Sequence, residues 1–495
     1  MIVARALRGH HVRTALVMAF ALAGCTAGPD FHAPAAPDVS RYTAQPLPEK
    51  TASAATELGA AQRFRVGQDV ATEWWRSLGS ARLDALIQQA LAANPTLAAA
   101  RATLRQAQET YAAQAGATRY PQIDASLGAQ RQRVNPTAMG LVDEPQALSM
   151  FNDDFNLVNA GIGVRYRFDF AGGSRRALEA LAARTDYQHR ELDATRLALA
   201  TNVATAAIVR ARLAGQIAAT QAMISARSEQ LELTREGARI GQIPPDDVLS
   251  LQAQVETART ALPALRTQLE KTEHLLAILG GQAPGAASVP NFTLAEFKLS
   301  AELPVLLPSE LVRRRPDIQA AEALLHAATA NYGIAVAKLY PQLDLSANLG
   351  AQALTMGALF GPGTAVWSAI AQLTQPLFRP GLPAERRAAL AAIDAAAANY
   401  QAVVLSALRE VADALRALNN DAEALAASAA ADQAARASVE NIRDQHELGA
   451  ASHVQLLVAQ QQADNARTRL IAAQAQRLID NVALYQALGG GASSQ

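Results

Sequence analysis

Two stretches of the chain, residues 174–240 and 384–448, run without a single proline. Each holds 65 residues or more, so as continuous helix each would reach about 100 Å at ~1.5 Å per residue. In the second, Leu390, Ile393, Ala397, Tyr400, Val404, Ala407, Val411, Leu415 and Leu418 step by three and four, the spacing of a coiled-coil seam. Alanine, the best helix former and small enough for close helix approach, is abundant. A globular domain has no use for helices this long, and 495 residues exceed one ordinary core.

The chain also repeats itself, at an offset of roughly 208–221 residues. Tyr120-Pro-Gln-Ile-Asp124 returns as Tyr340-Pro-Gln-Leu-Asp344, and Arg175-Arg176 as Arg386-Arg387. Gly241 returns as Gly449, Gln252 as Gln460, and Leu279-Gly280-Gly281 as Leu488-Gly489-Gly490. Each half reads as helix, strand, loop, strand, very long helix, Gly turn, helix. The first helix carries Leu83, Leu86, Ile87, Ala90 and Leu91 as an amphipathic stripe.

Four candidate strands alternate in polarity. From Val158 to Phe170 every even position is apolar, while the odd positions are Asn, Gly, Arg or Asp. Residues 343–353 alternate likewise, as do Ile123, Ala125, Leu127 and Ala129, and more weakly Trp367, Ala369, Ala371 and Leu373. Lengths near ~10 residues with one apolar face suit transmembrane β-barrel strands. Four strands cannot close a barrel, and open edges in lipid leave backbone groups unpaired at several kcal/mol each. Copies must then share one barrel, and three copies of four strands give twelve.

At the N-terminus, Arg5, Arg8 and Arg13 precede the apolar run from Ala15 to Leu22, too short to span a bilayer. It leads into Leu22-Ala23-Gly24-Cys25, the only cysteine of the chain. Small residues before a lone Cys look like a bacterial lipobox, which implies N-acyl and S-diacylglycerol chains on Cys25; the alternative is an ordinary signal peptide with an incidental Cys. Residues 1–24 then form a signal peptide; in lipoproteins of this kind an Asp after the Cys favours inner-membrane retention, so the resemblance makes Thr26 compatible with the outer membrane. Prolines 29, 34, 37, 46 and 48 predict an extended tether without its own core.

The sequence resembles the outer-membrane factor family, the TolC/OprM-like channels, in its NodT-type lipoprotein branch. The resemblance is carried by Cys25 with Pro29-Asp30-Phe31, Trp74-Trp75, Asn94-Pro95 and Leu311-Val-Arg-Arg-Arg-Pro-Asp-Ile318. The Tyr-Pro-Gln steps, the Gly turns and Tyr485-Gln-Ala-Leu-Gly-Gly490 complete it. It implies an α+β membrane channel: a homotrimer whose 12-stranded outer-membrane β-barrel meets an α-helical barrel crossing the periplasm. It also implies a periplasmic adaptor (membrane fusion) protein and an inner-membrane efflux pump, in drug exporters usually proton-driven. The expected divisions are signal peptide 1–24, lipidated tether 25–80, first repeat 81–281, linker 282–307 and second repeat 308–490.

The resemblance further implies that the turns at Gly241, Gln242 and Ile243, and at Gly449, Ala450, Ala451 and Ser452, form tips that meet the adaptor. Residues just past the turns would narrow the pore. Many members carry a carboxylate and an Arg there in the second repeat; this chain has Val454, Val458 and Gln461. Asp246 and Asp247 remain as acidic candidates, which either line the gate or cap a helix N-terminus.

No catalytic or cofactor chemistry is expected. The sequence has no GxxxxGK[ST], HExxH or GxSxG motif. The His residues lie scattered, and six Met form no metal-binding cluster, so no metal site is expected. Lys+Arg and Asp+Glu balance at 44 each, which offers nucleic acid no basic surface. Arg313-Arg314-Arg315 reads as a partner patch or as a set of ion pairs at a helix start. Two rivals remain: the same fold serving heavy-metal efflux or type I protein secretion, and a pore-less periplasmic coiled-coil scaffold.

Overall fold

The computed structural model describes residues 26–133 and 154–491. Cys25 and the signal peptide lie outside the described residues, as do residues 134–153. The chain divides into two compact units. One takes the residues up to Ala33, Arg105–Asp186 and Ala323–Ala398; the other takes Pro34–Leu104, Tyr187–Glu322 and everything from Asn399.

The first unit holds a four-stranded antiparallel sheet of β2 (Gln122–Gln132), β3 (Phe155–Phe168), β5 (Gln342–Ala353) and β6 (Ala365–Thr374), in that order across the sheet. The register aligns the alternation of all four strands. Ala125, Ile162, Leu349 and Trp367 form one cross-strand row. Phe168, Leu343 and Leu373 form another near the opposite end of the strands. These rows belong to a face that is apolar except at the Arg131–Asn156 row, and its large side chains stay exposed: Ile123 at 69%, Leu127 at 67%, Leu349 at 66% and Trp367 at 79%. The other face carries Gln122, Arg165 and Ser346 in one row, ended by Ile370 on β6, and Arg167 beside Asp344, paired at 2.7 Å, in the next, ended by Gln372. Two-fold periodicity with opposite polarities fixes the register, because a one-residue slip would place charges on the apolar face. β2 and β6 end the sheet as edges. The tyrosines of the two Tyr-Pro-Gln steps, Tyr120 and Tyr340, stand exposed before β2 and β5.

The second unit contains the main core. Ser80 accepts the Leu83 N–H and starts helix α1 (Ala81–Ala93), whose stripe of Leu83, Leu86, Ile87 and Ala90 is buried. The helix stops at Asn94 because Pro95 disfavours helical geometry in the residue before it. The Asn94 side chain then caps α2 (Pro95–Arg119) through the Thr96 and Leu97 N–H groups. The second repeat makes the same break at Arg315-Pro316, between α5 (Pro308–Arg314) and α6 (Pro316–Ala337).

The segment 25–80, expected as an extended tether without a core of its own, packs against the rest of the chain, most fully from residue 50 onward. β1 (Arg63–Val66) pairs in parallel with β4 (Glu302–Val305), so the linker 282–307 is also part of the packed unit. Trp74 and Trp75 are buried, and Trp74 stacks on Tyr485 at 5.3 Å. Arg477, 1% exposed, donates to the Leu58 and Ala60 carbonyls, Thr51 and Gln62. Gln62 donates to Asn481 and to the Ser300 carbonyl. Beside this network Asp480, 4% exposed, accepts from Gln476 at 2.8 Å. Burial, and then hydrogen bonding with Asp421, pushes its carboxyl up to about 8.

The long helices are α3 (Gly173–Arg239) and α7 (Gly381–Glu447), each of 67 residues; each is followed by one of 35, α4 (Pro245–Leu279) and α8 (His453–Ala487). Their starts are all 208 residues apart. The arginine pairs are therefore not equivalent, which corrects that landmark: Arg176 is the fourth residue of α3 and 3% exposed, whereas Arg387 is the seventh residue of α7 and exposed. The predicted seam of α7 is buried from Tyr400 to Leu418, but Leu390 is 48% exposed.

Candidate functional site at the helical tips

The two tips are built by the same backbone chemistry. After α3, the Gln242 N–H reaches back to the Gly237 carbonyl at 2.9 Å and the Gly241 N–H to Ala238 at 3.0 Å. After α7, Ala450 bonds back to Gln445 and Gly449 to His446. Both are Schellman closures, which need a left-handed residue just beyond the helix, and Gly241 (φ 77°) and Gly449 (φ 75°) supply it. The return helices start differently. Pro244 and Pro245 open α4, with Asp246 and Asp247 in its first turn. Ser452 opens α8 through a capping box, accepting the Gln455 N–H at 3.2 Å while the Gln455 side chain accepts the Ser452 N–H at 2.7 Å.

At the 208-residue offset Asp246 and Val454 occupy equivalent positions, as do Asp247 and Gln455. Val454 and Val458 lie one turn apart on the same face of α8, 58% and 47% exposed, followed by exposed Gln461. Asp246 is exposed and Asp247 half-buried. Gln242, Ala450 and Ser452 are exposed, while Ile243 and Ala451 are half-buried. The turns also expose two residues that the sequence reading passed over. Ile240 (53% exposed) and Leu448 (85%) stand immediately before the two glycines, one in each repeat. The signal was a lone aliphatic residue at a helix end where a polar one would ordinarily stand.

The tip also corrects the reading of scattered histidines. His446 and His453 flank the second turn with ring centroids 5.6 Å apart. His446 Nδ1 donates to the Ala451 carbonyl at 2.9 Å, since a carbonyl can only accept. Burial pushes the His453 imidazole below its ordinary value; Asp247 opposes this and His446 adds to it. Beneath the turns Leu231, Leu251, Val255 and Leu457 form a small apolar cluster. Farther along, buried Arg227 of α3 pairs with Asp464 of α8, tying the repeats together. Burial raises the Asp464 carboxyl, and Arg227 acts against it. Of Arg313-Arg314-Arg315, Arg314 pairs with Asp69, while Arg315 pairs with Asp317 and Glu410 and donates to the Ala487 carbonyl. Two of the three thus serve as ion pairs.

Among the described residues, no group of three or more His, Cys, Asp or Glu side chains is placed to hold a metal. What the site offers is a paired set of turns with exposed aliphatic residues, and two return helices with small apolar or acidic first turns. The sequence profile described as outer membrane efflux protein matches residues 86–282 and 307–490, well over half of the chain and both repeats. The chain belongs to the outer membrane efflux protein family.

Similar family members include the antibiotic efflux pump outer membrane protein ArpC of Pseudomonas putida, 30% identical over 477 residues, covering 96% of this chain and 94% of that protein. Outer membrane protein OprJ of Pseudomonas aeruginosa is 28% identical over 483 residues, covering 97% and 95%. Among solved structures, the outer-membrane channel OprN superposes with a TM-score of 0.82 at 26% identity, covering 94% of this chain and 99% of that one. Membership places the chain in the outer membrane as a channel component of an efflux system. The apolar-faced sheet and the paired long helices are the family's architecture.

Proposed function

We propose that the chain is the passive exit duct of a tripartite efflux system for drugs or other small organic molecules. An inner-membrane pump, proton-driven, supplies the energy and reaches the duct through a periplasmic adaptor. The observation that carries this reading is the sheet: four strands, one face apolar over most of its length and broken only at the Arg131–Asn156 row, the other carrying the charged and amide side chains, with β2 and β6 as its edges among the described residues. A pore-less scaffold has no use for such a face. In lipid the edges must pair, so three copies close a twelve-stranded barrel. A stretch of α7 apolar enough to cross a membrane, yet only 11% buried within one chain, supplies surface for neighbouring copies to cover.

In this reading the turns at Gly241, Gln242 and Ile243, and at Gly449, Ala450, Ala451 and Ser452, receive the adaptor, with Ile240 and Leu448 as apolar contacts. Val454 and Val458 close the pore by excluding water, and Asp246 and Asp247 set its preference for cations. Cys25 carries the acyl chains. The duct binds no other cofactor and catalyses nothing. Deleting the gene and complementing it with the wild-type chain tests the reading. Susceptibility to several unrelated small drugs should rise on deletion and return to baseline on complementation. Unchanged susceptibility to every drug, with altered tolerance of copper, zinc or silver alone, would favour the metal-efflux rival instead.

A further inference from the structure

The segment that follows Cys25 is strapped down rather than loose. The Ala27 N–H donates to the Ala171 carbonyl at 2.9 Å. Arg176, 3% exposed, donates to the carbonyls of Ala27 (3.0 Å) and Gly28 (3.2 Å) and to the Asp30 carboxylate (2.8 Å). Glu179 holds Arg176 from the other side at 2.7 Å and accepts from His326 at 2.9 Å. Phe31 stacks on the His326 ring with centroids 4.4 Å apart. Gly28 lies so close to Gly333 that a Cβ on it would stand 2.7 Å from the Gly333 Cα. All of these residues belong to the first unit.

The strap ends at a particular place. Thr26 lies against Gly172: a Cβ there would stand 2.8 Å from the Thr26 methyl. Immediately upstream, Tyr166, Phe168 and Phe170 form an aromatic patch at the end of β3, with centroids 5.0 and 5.8 Å apart. Tyr166 and Phe168 belong to the apolar face, in rows with Leu345 and Leu343, and Phe168 is 39% exposed. Cys25 is one peptide, ~3.8 Å, from Thr26.

We propose that this aromatic patch is the docking site of the acyl chains carried by Cys25 of the same chain. The proposal rests on the reading of Cys25 as lipidated. The occupant follows from the attachment point: the strap fixes Thr26 against Gly172, two residues past Phe170, so the acyl chains on the preceding residue begin at this end of the sheet. The lipid then acts as a staple at the rim of the sheet rather than as a free tether. Asp30, Phe31, Arg176 and His326 are positioning residues for it.

The test uses the full-length protein in its own membrane, with p-benzoylphenylalanine at Phe168 or, as a control on the same face, at Trp367. After irradiation, mass spectrometry of the digests reads two things: acylation of the Cys25 peptide and the adducts at the probe. The expected result is an acylated Cys25 peptide joined to the probe at 168, and only phospholipid adducts at 367. Combining Asp30→Asn with Phe31→Ala, which leaves the helices untouched, should lower the 168 adduct at least about threefold with acylation unchanged. An acylated Cys25 with only phospholipid adducts at 168 overturns the docking site. An unacylated Cys25 overturns the lipidation reading and the proposal with it.

Discussion

Asp480 is a buried acid held in its protonated form, and Asp480→Asn isolates what that costs. Its carboxyl is 4% exposed, hydrogen-bonded to Gln476 and facing Asp421, and it titrates near 8 instead of at the ordinary 3.8. The unfolded chain releases this proton from about pH 4 upward, while the folded chain keeps it until about pH 8. Folding therefore takes up one proton in that window. The stabilisation is complete below pH 4 and is lost as pH rises, at ~1.4 kcal/mol per unit, levelling off above pH 8. From pH 6 to pH 9 the wild type should lose about 2–3 kcal/mol through this group. Asparagine cannot titrate, still accepts from Gln476 and can donate to Asp421, so the variant should lack this loss. Guanidinium unfolding of the detergent-solubilised proteins, followed by circular dichroism at 222 nm at both pH values, measures the difference between the two slopes. Parallel pH dependences for wild type and variant, agreeing within about 0.5 kcal/mol, would refute the protonated-pair argument.

Cys25→Ser should abolish acyl labelling and leave the precursor unprocessed at this site; normal processing with unchanged labelling would exclude the lipobox. The purified protein should behave as a trimer in detergent, and a monodisperse monomer with intact β signal by circular dichroism would contradict the shared barrel. Val458→Asp should place three like charges at the constriction and raise single-channel conductance in planar bilayers, whereas converting Asp246 and Asp247 to Asn should change cation selectivity more than conductance. Unchanged conductance in Val458→Asp would move the gate elsewhere. Gly449→Val should destabilise the tip by ~1–2 kcal/mol, because a β-branched residue at φ 75° is strained; hydrogen exchange at the turn should quicken while the sheet stays protected.

Much of this fold is written in periodicities. Strand alternation gave the apolar face, since one-residue steps change sides and the pairing merely aligns rows already present in β2, β3, β5 and β6. The absence of proline and the Gly turns gave the long helices to within a few residues. What stayed hidden is what distance in sequence conceals. β1 and β4 are four residues each and 239 positions apart, too short for a period to show. Asp30, Arg176 and His326 meet only after folding. The His446–His453 pair was nearer to hand, because a hairpin turn between two helices brings together residues seven apart. The Arg-Arg landmark misled because matching letters three positions out of register looked like homology.

The equal helix lengths, 67 with 67 and 35 with 35, carry a consequence for how such a chain can change. One residue added to a single helix turns everything beyond it by about 100° and advances it by about 1.5 Å, so the apolar stripe would face the wrong neighbour. A change in reach is tolerable only in whole heptads, roughly 10 Å at a time. It must also be made on both the outgoing and the returning helix, and in both repeats together, or one tip would stand proud of the other. Length in this chain is thus a quantised and fourfold-linked trait, which drift by single insertions cannot reach.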